Sequence, residues 1–338
     1  MPATISLGDQ TLPGVVLEPA RPDLGQIAGL ERTLHSLADR VRAGVSHNVA
    51  ELRRLLQLRE QMLDAIESSR DAWLEVTLAR TPQRPHALQA AHALLRGFTS
   101  LGGARGLGDD PALVAGYGTL DGRTVVFAGH ERGTGAREKL ARHYGMMSPA
   151  GYRKFQRVVQ WAERHSYPVV TYVDTPGALP GIESEESGVA QSIAQTLYAM
   201  AGLRVPTLAI VAGEGGSGGA LAMALSDRIL MLSHAIFSVI APEACASILW
   251  RDGARAREAA ALLKLTSRDL LGFGLIDGII PEPRGGAHRQ PAEALATMRQ
   301  YVRRHLADLC TQGSETRMAD RYSKYRSMGR FGALPDAA

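Results

Sequence analysis

The chain is short of cysteine, of long apolar runs and of surplus charge. Its two cysteines, Cys245 and Cys310, cannot build a disulfide framework. With no C-x-x-C and no H-E-x-x-H pattern, no bound metal is expected in this chain. No apolar run approaches the eighteen residues of a membrane span, and MPATISLGDQ at the start is not a basic stretch followed by an apolar one. A cytoplasmic protein with neither leader nor membrane anchor is the expectation. The formal charge is only +4 in 338 residues, which suits an anionic small molecule or an acidic partner but leaves no nucleic-acid footprint. The one basic–aromatic stretch, Tyr322 to Arg330, reads as solvated or partner-packed surface. No short-period tandem repeat is present. With 45% hydrophobic and 21% charged residues, the composition is that of an ordinary soluble globular protein.

Apolar periodicity supplies the first elements. Ile27, Leu30, Leu34, Leu37 and Val41 form a helical stripe, and Leu52, Leu55, Leu56, Met62, Leu63 and Ile66 form a second. Asn48 with Glu51 three residues on resembles a helix start, so a helical hairpin is predicted, ending near Arg80 before the breaker RTPQRP. Beyond Pro111, ALVAGYGTL and TVVFAGHE flank Asp121-Gly122-Arg123, a hairpin signal. Ser148–Pro149 predicts a helix start running to about His165. YPVVTYVDT reads as a buried strand and is followed by the loop PGALPGIESEESG. A helix at about 186–202, a strand at 206–212, a glycine stretch, another helix, the short strands RILMLSH and IFSVIA, and a last helix at roughly 291–309 complete the pattern. Strands alternating with helices indicate an α/β fold. The expected divisions are an irregular arm (1–26), a helical hairpin (27–85), a main domain (86–312) and a basic tail (313–338).

The chemistry is expected at GEGGSGGALA, residues 213–222, which puts five glycines in ten positions. Gly213, Gly215 and Gly218 satisfy G-x-G-x-x-G. A dinucleotide site also wants an acid at the end of the next strand, where this chain has Ser233 and His234. No GK[ST] follows, so a phosphate-binding loop of that kind fails too. Glycines that only permit tight packing are the plain alternative, but each surplus glycine costs backbone entropy. Several N–H groups presented to an oxyanion is the reading preferred. DTPGALPG (174–181), with Gly177 and Gly181 between stiffening prolines, has the same logic. Ser217 sits in a literal G-x-S-x-G, although no acid-then-histidine pair follows in hydrolase order. Glu185 and Glu186 read as acids at a helix start, Cys245 as a small buried thiol, and His288, after two glycines, as a candidate ligand.

Several longer segments, namely LARTPQRPHAL (78–88), LDGRTVVFAGHERG, YGMMSPAGYRK, DTPGALPG, GEGGSGGALA, PEACASILW and LIDGIIPEPRGGAHR, resemble the carboxyltransferase alpha subunit of bacterial acetyl-CoA carboxylase. The likeness spans roughly residues 27–330. It implies a crotonase-like (ClpP/crotonase) fold of repeated β-β-α units behind an N-terminal helical segment. It also implies an α2β2 assembly with a zinc-ribbon beta subunit, and transfer of a carboxyl group from carboxybiotin, held on a biotin carboxyl carrier protein, to acetyl-CoA or a related acyl thioester. The malonyl-CoA-type product would feed fatty acid biosynthesis. The resemblance carries an oxyanion role onto Gly215 and Gly216, and a biotin- and substrate-facing role onto Gly177, Ala178, Leu179, Gly181, Ser217, Gly218, Gly219 and His288. The chain departs from the family pattern at Leu179, at Gly103-Ala104-Arg105, at TGAR (134–137) and at Ser187, Val189, Ala190 and Gln191. These departures imply a substrate preference shifted away from acetyl-CoA. A related decarboxylation, or a degenerate subunit that only binds its partner, are the other readings.

Overall fold

A computed structural model of the chain describes residues 24–43, 48–69, 71–103 and 108–329. Most of the expected arm at 1–26 and the Ala104–Arg105 departure lie outside these residues, as does the end of the tail. The chain divides into two units, Met1–Ser69 and Arg70–Ala338. The first holds α1 (Leu24–Arg42) and α2 (Val49–Ser68), which pack on one another. The predicted cap is present, with Asn48 Oδ1 accepting from the Glu51 N–H at 3.1 Å. The second unit begins earlier than the expected 85/86 boundary, because α3 (Ala72–Ala79) packs its buried face on the main domain. Asp71 caps this helix by accepting from the Trp73 N–H, and the helix ends at Ala79, where the predicted breaker RTPQRP begins.

In the second unit, α4 (Ala87–Leu94) leads to β1 (Arg96–Ser100), β2 (Leu113–Leu120) and β3 (Arg123–His130). Asp121 and Gly122 take φ of 50° and 79°, the double positive that a primed hairpin turn requires. α5 (Ala136–Ala141) precedes α6 (Pro149–Arg164), which starts at the predicted proline, and Ser148 donates through both N and Oγ to Asp110 Oδ2 at 2.7 Å. β4 (Val169–Thr175) is buried in all seven residues. It is followed by α7 (Ile182–Glu186), within the stretch read as loop, and, after Gly188 at φ +77°, by α8 (Val189–Gly202), close to the helix expected at about 186–202. β5 (Thr207–Gly216) then runs straight into α9 (Ser217–Ala224). β6 (Arg228–Leu232), β7 (Ile236–Ser238), α10 (Pro242–Trp250), α11 (Ala256–Leu263), α12 (Ser267–Gly272) and β8 (Gly278–Ile280) follow. IFSVIA therefore forms a strand only over its first half, and Val239 is exposed.

The strands make one sheet in the order β1-β2-β3-β4-β5-β6-β8, with β7 pairing the end of β5. β1 to β3 are antiparallel and β3 to β8 parallel. Parallel strands covered on both faces must be apolar throughout, and α6, α8 and α9 form one covering group while α4 and α13 (Pro291–Thr311) form another. Few of the core side chains are aromatic; Tyr152, Tyr172, Phe127 and Phe155 are buried among valine, alanine, leucine and methionine.

The last helix is not α13. The stretch read as a basic surface tail is α14 (Ser314–Arg326), and two of its arginines are buried. Arg321 Nε donates to Asp227 Oδ1 at 2.7 Å and its Nη1 to the Met200 carbonyl at 2.9 Å. Lys324 pairs with Asp277. Tyr325 accepts from the Ser226 N–H at 2.9 Å. Arg321 and Lys324 meet the carboxylates of Asp227 and Asp277, while Tyr322, Ser323, Arg326, Ser327 and Gly329 are exposed, as the surface reading expects.

Candidate functional site

The parallel strands β4 and β5 lie side by side, with Thr175 opposite Gly215. Their carboxyl ends deliver the two glycine-containing segments to one place, where substrates of open parallel sheets generally bind. GEGG is strand, not loop: Gly215 and Gly216 are the last residues of β5, opposite Phe237 and Ser238 of β7. A side chain at Gly216 would collide with the Pro176 carbonyl, and one at Gly219 would come within 3 Å of the Gly177–Ala178 peptide. The two segments thus pack backbone on backbone, and close approach explains these glycines independently of any ligand. Gly177 donates its N–H to Thr175 Oγ1 at 3.2 Å, whose hydroxyl bonds the Gly177 carbonyl at 2.7 Å. Leu179 donates to the Met147 carbonyl at 3.0 Å. Gly181, at φ +119°, starts α7.

Backbone donors remain at the entrance of α9. Gly216 is its N-cap and no side chain caps the helix, so the N–H groups of Ser217, Gly218 and Gly219 have no helical acceptor and carry the positive end of the helix dipole. Ser217 is exposed and holds φ at +53°. Among the described residues no histidine or carboxylate bonds its hydroxyl. Glu183 and Glu185 lie in the first turn of α7, Glu186 closes that helix, and Cys245 is half-buried on α10. The departures Ser187, Ala190 and Gln191 are exposed.

His288 does not join the two segments. The groups around it are Arg289, Arg84, Glu282 and His234, and burial above all, with the two arginines, lowers its pKa to about 4. It stands next to a charge network that sequence reasoning missed. Asp174, near the end of β4, accepts on Oδ1 from Arg132 Nη1 and from the Glu214 N–H, both at 3.0 Å. Arg80 grips Glu214 Oε1 through Nε (2.9 Å) and Nη2 (2.7 Å) and reaches Glu243 Oε1 at 2.6 Å. Arg84 makes a two-pronged pair with Glu282 at 2.8 Å and also donates to the Ala212 carbonyl at 2.7 Å. Burial works against the Glu282 charge, but Arg84's charge and hydrogen bonds outweigh it and hold the carboxyl below its usual range. Among the described residues no group of three or more histidine, cysteine or acidic side chains is placed to hold a metal ion.

Over residues 24–329 the chain matches the family described as acetyl co-enzyme A carboxylase carboxyltransferase-like. The chain belongs to that family. It is 44% identical over 306 residues to the acetyl-coenzyme A carboxylase carboxyl transferase subunit alpha of Rhizobium rhizogenes, covering 90% of this chain and 96% of that one. It is 43% identical over 309 residues to the subunit of the same name from Thermus thermophilus, with the same coverage. Among solved structures it resembles transcarboxylase 12S (TM-score 0.58, 19% identity, 71% of this chain and 45% of that one). It also resembles the beta subunit of Pseudomonas aeruginosa geranyl-CoA carboxylase (TM-score 0.52, 18% identity, 75% and 45%). These likenesses bear on fold alone, and they agree with the crotonase-like α/β architecture. Membership also locates the signal for the missed network. Six of the seven segments that carry the family resemblance contribute a member: Arg80 and Arg84 from LARTPQRPHAL, Arg132 from GHERG, Asp174 from DTPG, Glu214 from GEGG, Glu243 from PEACA and Glu282 from PEPRGG.

Proposed function

We propose that the chain is the alpha subunit of a biotin-dependent carboxyltransferase, moving a carboxyl group to acetyl-CoA or a related acyl thioester. The observation that carries this is the meeting of two backbone segments, 175–181 and 214–219, at an uncapped helix N-terminus. Carboxybiotin on a separate carrier protein supplies the activated carboxyl group. The chain's own part is to meet negative charge as it develops. N–H groups at the Gly216–Gly219 entrance of α9 donate to an oxyanion, and one such donor is typically worth about 2.7–4 kcal/mol of barrier. No side-chain base is needed for that, which fits the lone Ser217. The uncapped donors and the flat, side-chain-free wall formed by Gly216 and Gly219 suit a planar ureido group.

The partner is a second, zinc-ribbon subunit, in an α2β2 arrangement, and the working compartment is the cytoplasm. Exposed Ile182, Val239, Ile248 and Leu249 on α7, on α10 and just before it support a site that is completed by another chain. Leu179 and the uncharged Ser187 and Gln191 leave the 175–191 segment with fewer polar and aromatic side chains than the family pattern, which supports a preference away from acetyl-CoA. The test is co-expression with the beta-type partner and a biotinylated carrier, followed by a screen of acyl thioesters. Carboxylation that needs all three components is expected, with kcat/KM favouring a longer or carrier-bound acyl group. Full transfer by the isolated chain would overturn the assembly, and a clear acetyl-CoA optimum would overturn the preference.

A further inference from the structure

A cavity of about 50 Å³ lies at the carboxyl ends of β3 and β4, walled by Arg80, Arg84, His86, Arg132, Lys139 and Asp174. Five of these six residues offer N–H donors, and the one carboxylate is already occupied on Oδ1 by Arg132 and the Glu214 N–H. Glu214, Glu243 and Glu282 hold Arg80 and Arg84 and so fix these guanidinium groups in place. Other donors are left over. Lys139, half-buried on α5, has no carboxylate partner among the described residues. Arg132 reaches Asp174 and Glu214 through Nη1 alone, which leaves its Nε and Nη2. His86 is only 7% exposed, yet neither ring nitrogen has a hydrogen-bond partner. The Glu131 carboxylate stands 3.7 Å from its Nδ1, too far for one. Either tautomer of a histidine offers an N–H, and leaving a buried polar group unsatisfied costs about 1–3 kcal/mol.

The size restricts what could satisfy these groups. At about 10–15 Å³ for each water-sized occupant, the space takes roughly four heavy atoms. That is room for a planar anion but not for a ring. A guanidinium edge matches a planar carboxylate in two parallel hydrogen bonds. We propose that this cavity binds a small planar oxyanion of the carboxylate class, either free bicarbonate or the terminal carboxylate of a carboxylated acyl chain. The assignment deepens the carboxyl-transfer reading and rests on it for the class of ligand. Asp174 joins the two places: it forms a wall of the cavity, and it ties the strand that leads into Thr175–Gly177 to Glu214 of the glycine segment. An anion on Arg132 Nε and Nη2 therefore sits one guanidinium away from the residue that positions both.

The full chain, wild type and Lys139→Ala, is titrated with bicarbonate against chloride at equal ionic strength and mildly alkaline pH, reading both calorimetry and Tm. Saturable binding that raises Tm is expected, weakened about tenfold or more in Lys139→Ala (about 1.4 kcal/mol) and restored in Lys139→Arg. Lys139 lies on a short surface helix, so the unliganded variant should keep the wild-type Tm. No saturable binding, or binding indifferent to Lys139, overturns the proposal and leaves ordered water as the occupant. Tighter binding of phosphate than of bicarbonate overturns the planar assignment. Competition by monomethyl malonate identifies the acyl carboxylate as the ligand, and binding of bicarbonate without that competition identifies the free anion. Carboxyl transfer with partner and carrier is measured separately. Transfer without anion binding rejects the cavity alone, and binding without transfer rejects the reaction while the anion site stands.

Discussion

Gly216 is where the strand end and the Pro176 carbonyl touch, so a single methyl group is enough to separate the two segments. Gly216→Ala is expected to abolish transfer, because the Cβ must push the Pro176–Gly177 peptide away from β5. Gly216→Pro additionally removes the N–H. Ser217→Ala makes the opposite comparison: it keeps the N–H and the exposed position and loses only a hydroxyl. Its activity should stay within about tenfold, roughly 1.4 kcal/mol, measured with the partner present after circular dichroism confirms the fold. A dead Ser217→Ala with a normal fold would point to a serine nucleophile instead. Asp174 is a positioning residue of a different kind. Asp174→Ala strands the Arg132 guanidinium and the Glu214 N–H together in a buried place, and breaking one side of a buried pair typically costs about 3–5 kcal/mol. Urea unfolding should register a loss of that order, and a loss within experimental scatter would mean that water replaces the carboxylate.

At the level of elements, local pattern foretold what local pattern can dictate. The apolar stripes of α1 and α2, the proline start of α6, the Asp-Gly hairpin and the body of α13 all lie where periodicity and turn chemistry put them. The end of β5 was not legible in this way. Its last four residues are Gly213, Glu214, Gly215 and Gly216, which have neither alternation nor strand propensity, and only pairing with β7 and Thr175 makes them strand. The glycine segments of the site were legible as residue types, whereas the network beneath them was not. Its partners are separated by 42 residues (Arg132–Asp174), 134 (Arg80–Glu214) and 198 (Arg84–Glu282), distances at which no spacing rule operates. The same gap hid α14, whose Arg321 finds Asp227 across 94 residues. Arg321→Ala should therefore cost about 3–5 kcal/mol, because Asp227 loses a partner while remaining buried against the Thr207 N–H and hydroxyl. A loss near zero in a denaturant titration would restore the view of this segment as surface.

For the whole molecule, a buried histidine and a half-buried one tie stability to pH. His130 closes β3 at 1% exposure, and burial lowers its pKa from 6.5 to about 4, with Arg132 pushing the same way and Asp174 opposing. The unfolded chain binds this proton more readily than the folded one between those two values. Stability from the neutral ring is therefore complete above about pH 6.5 and is lost as pH falls toward 4, to a total of about 3 kcal/mol. His288, lowered to about 4 mainly by burial, acts in the same window and with the same sign, though its partial exposure reduces its worth. Glu282 has its pKa lowered from 4.5, so its contribution fails only at more acidic pH and does not confuse the window. Unfolding free energy measured by urea at several pH values between 7 and 5 should fall as pH falls, approaching about 1.4 kcal/mol per pH unit for each histidine in the lower part of that range. His130→Leu has no proton to take up, so roughly one histidine's share of that slope should vanish, whatever the substitution does to stability at neutral pH. A slope unchanged in His130→Leu would mean that the ring is already reached by solvent protons in the folded protein, and that the carboxyl ends of β3 and β4 are not closed as the buried cluster of Asp174, Arg132 and His130 requires.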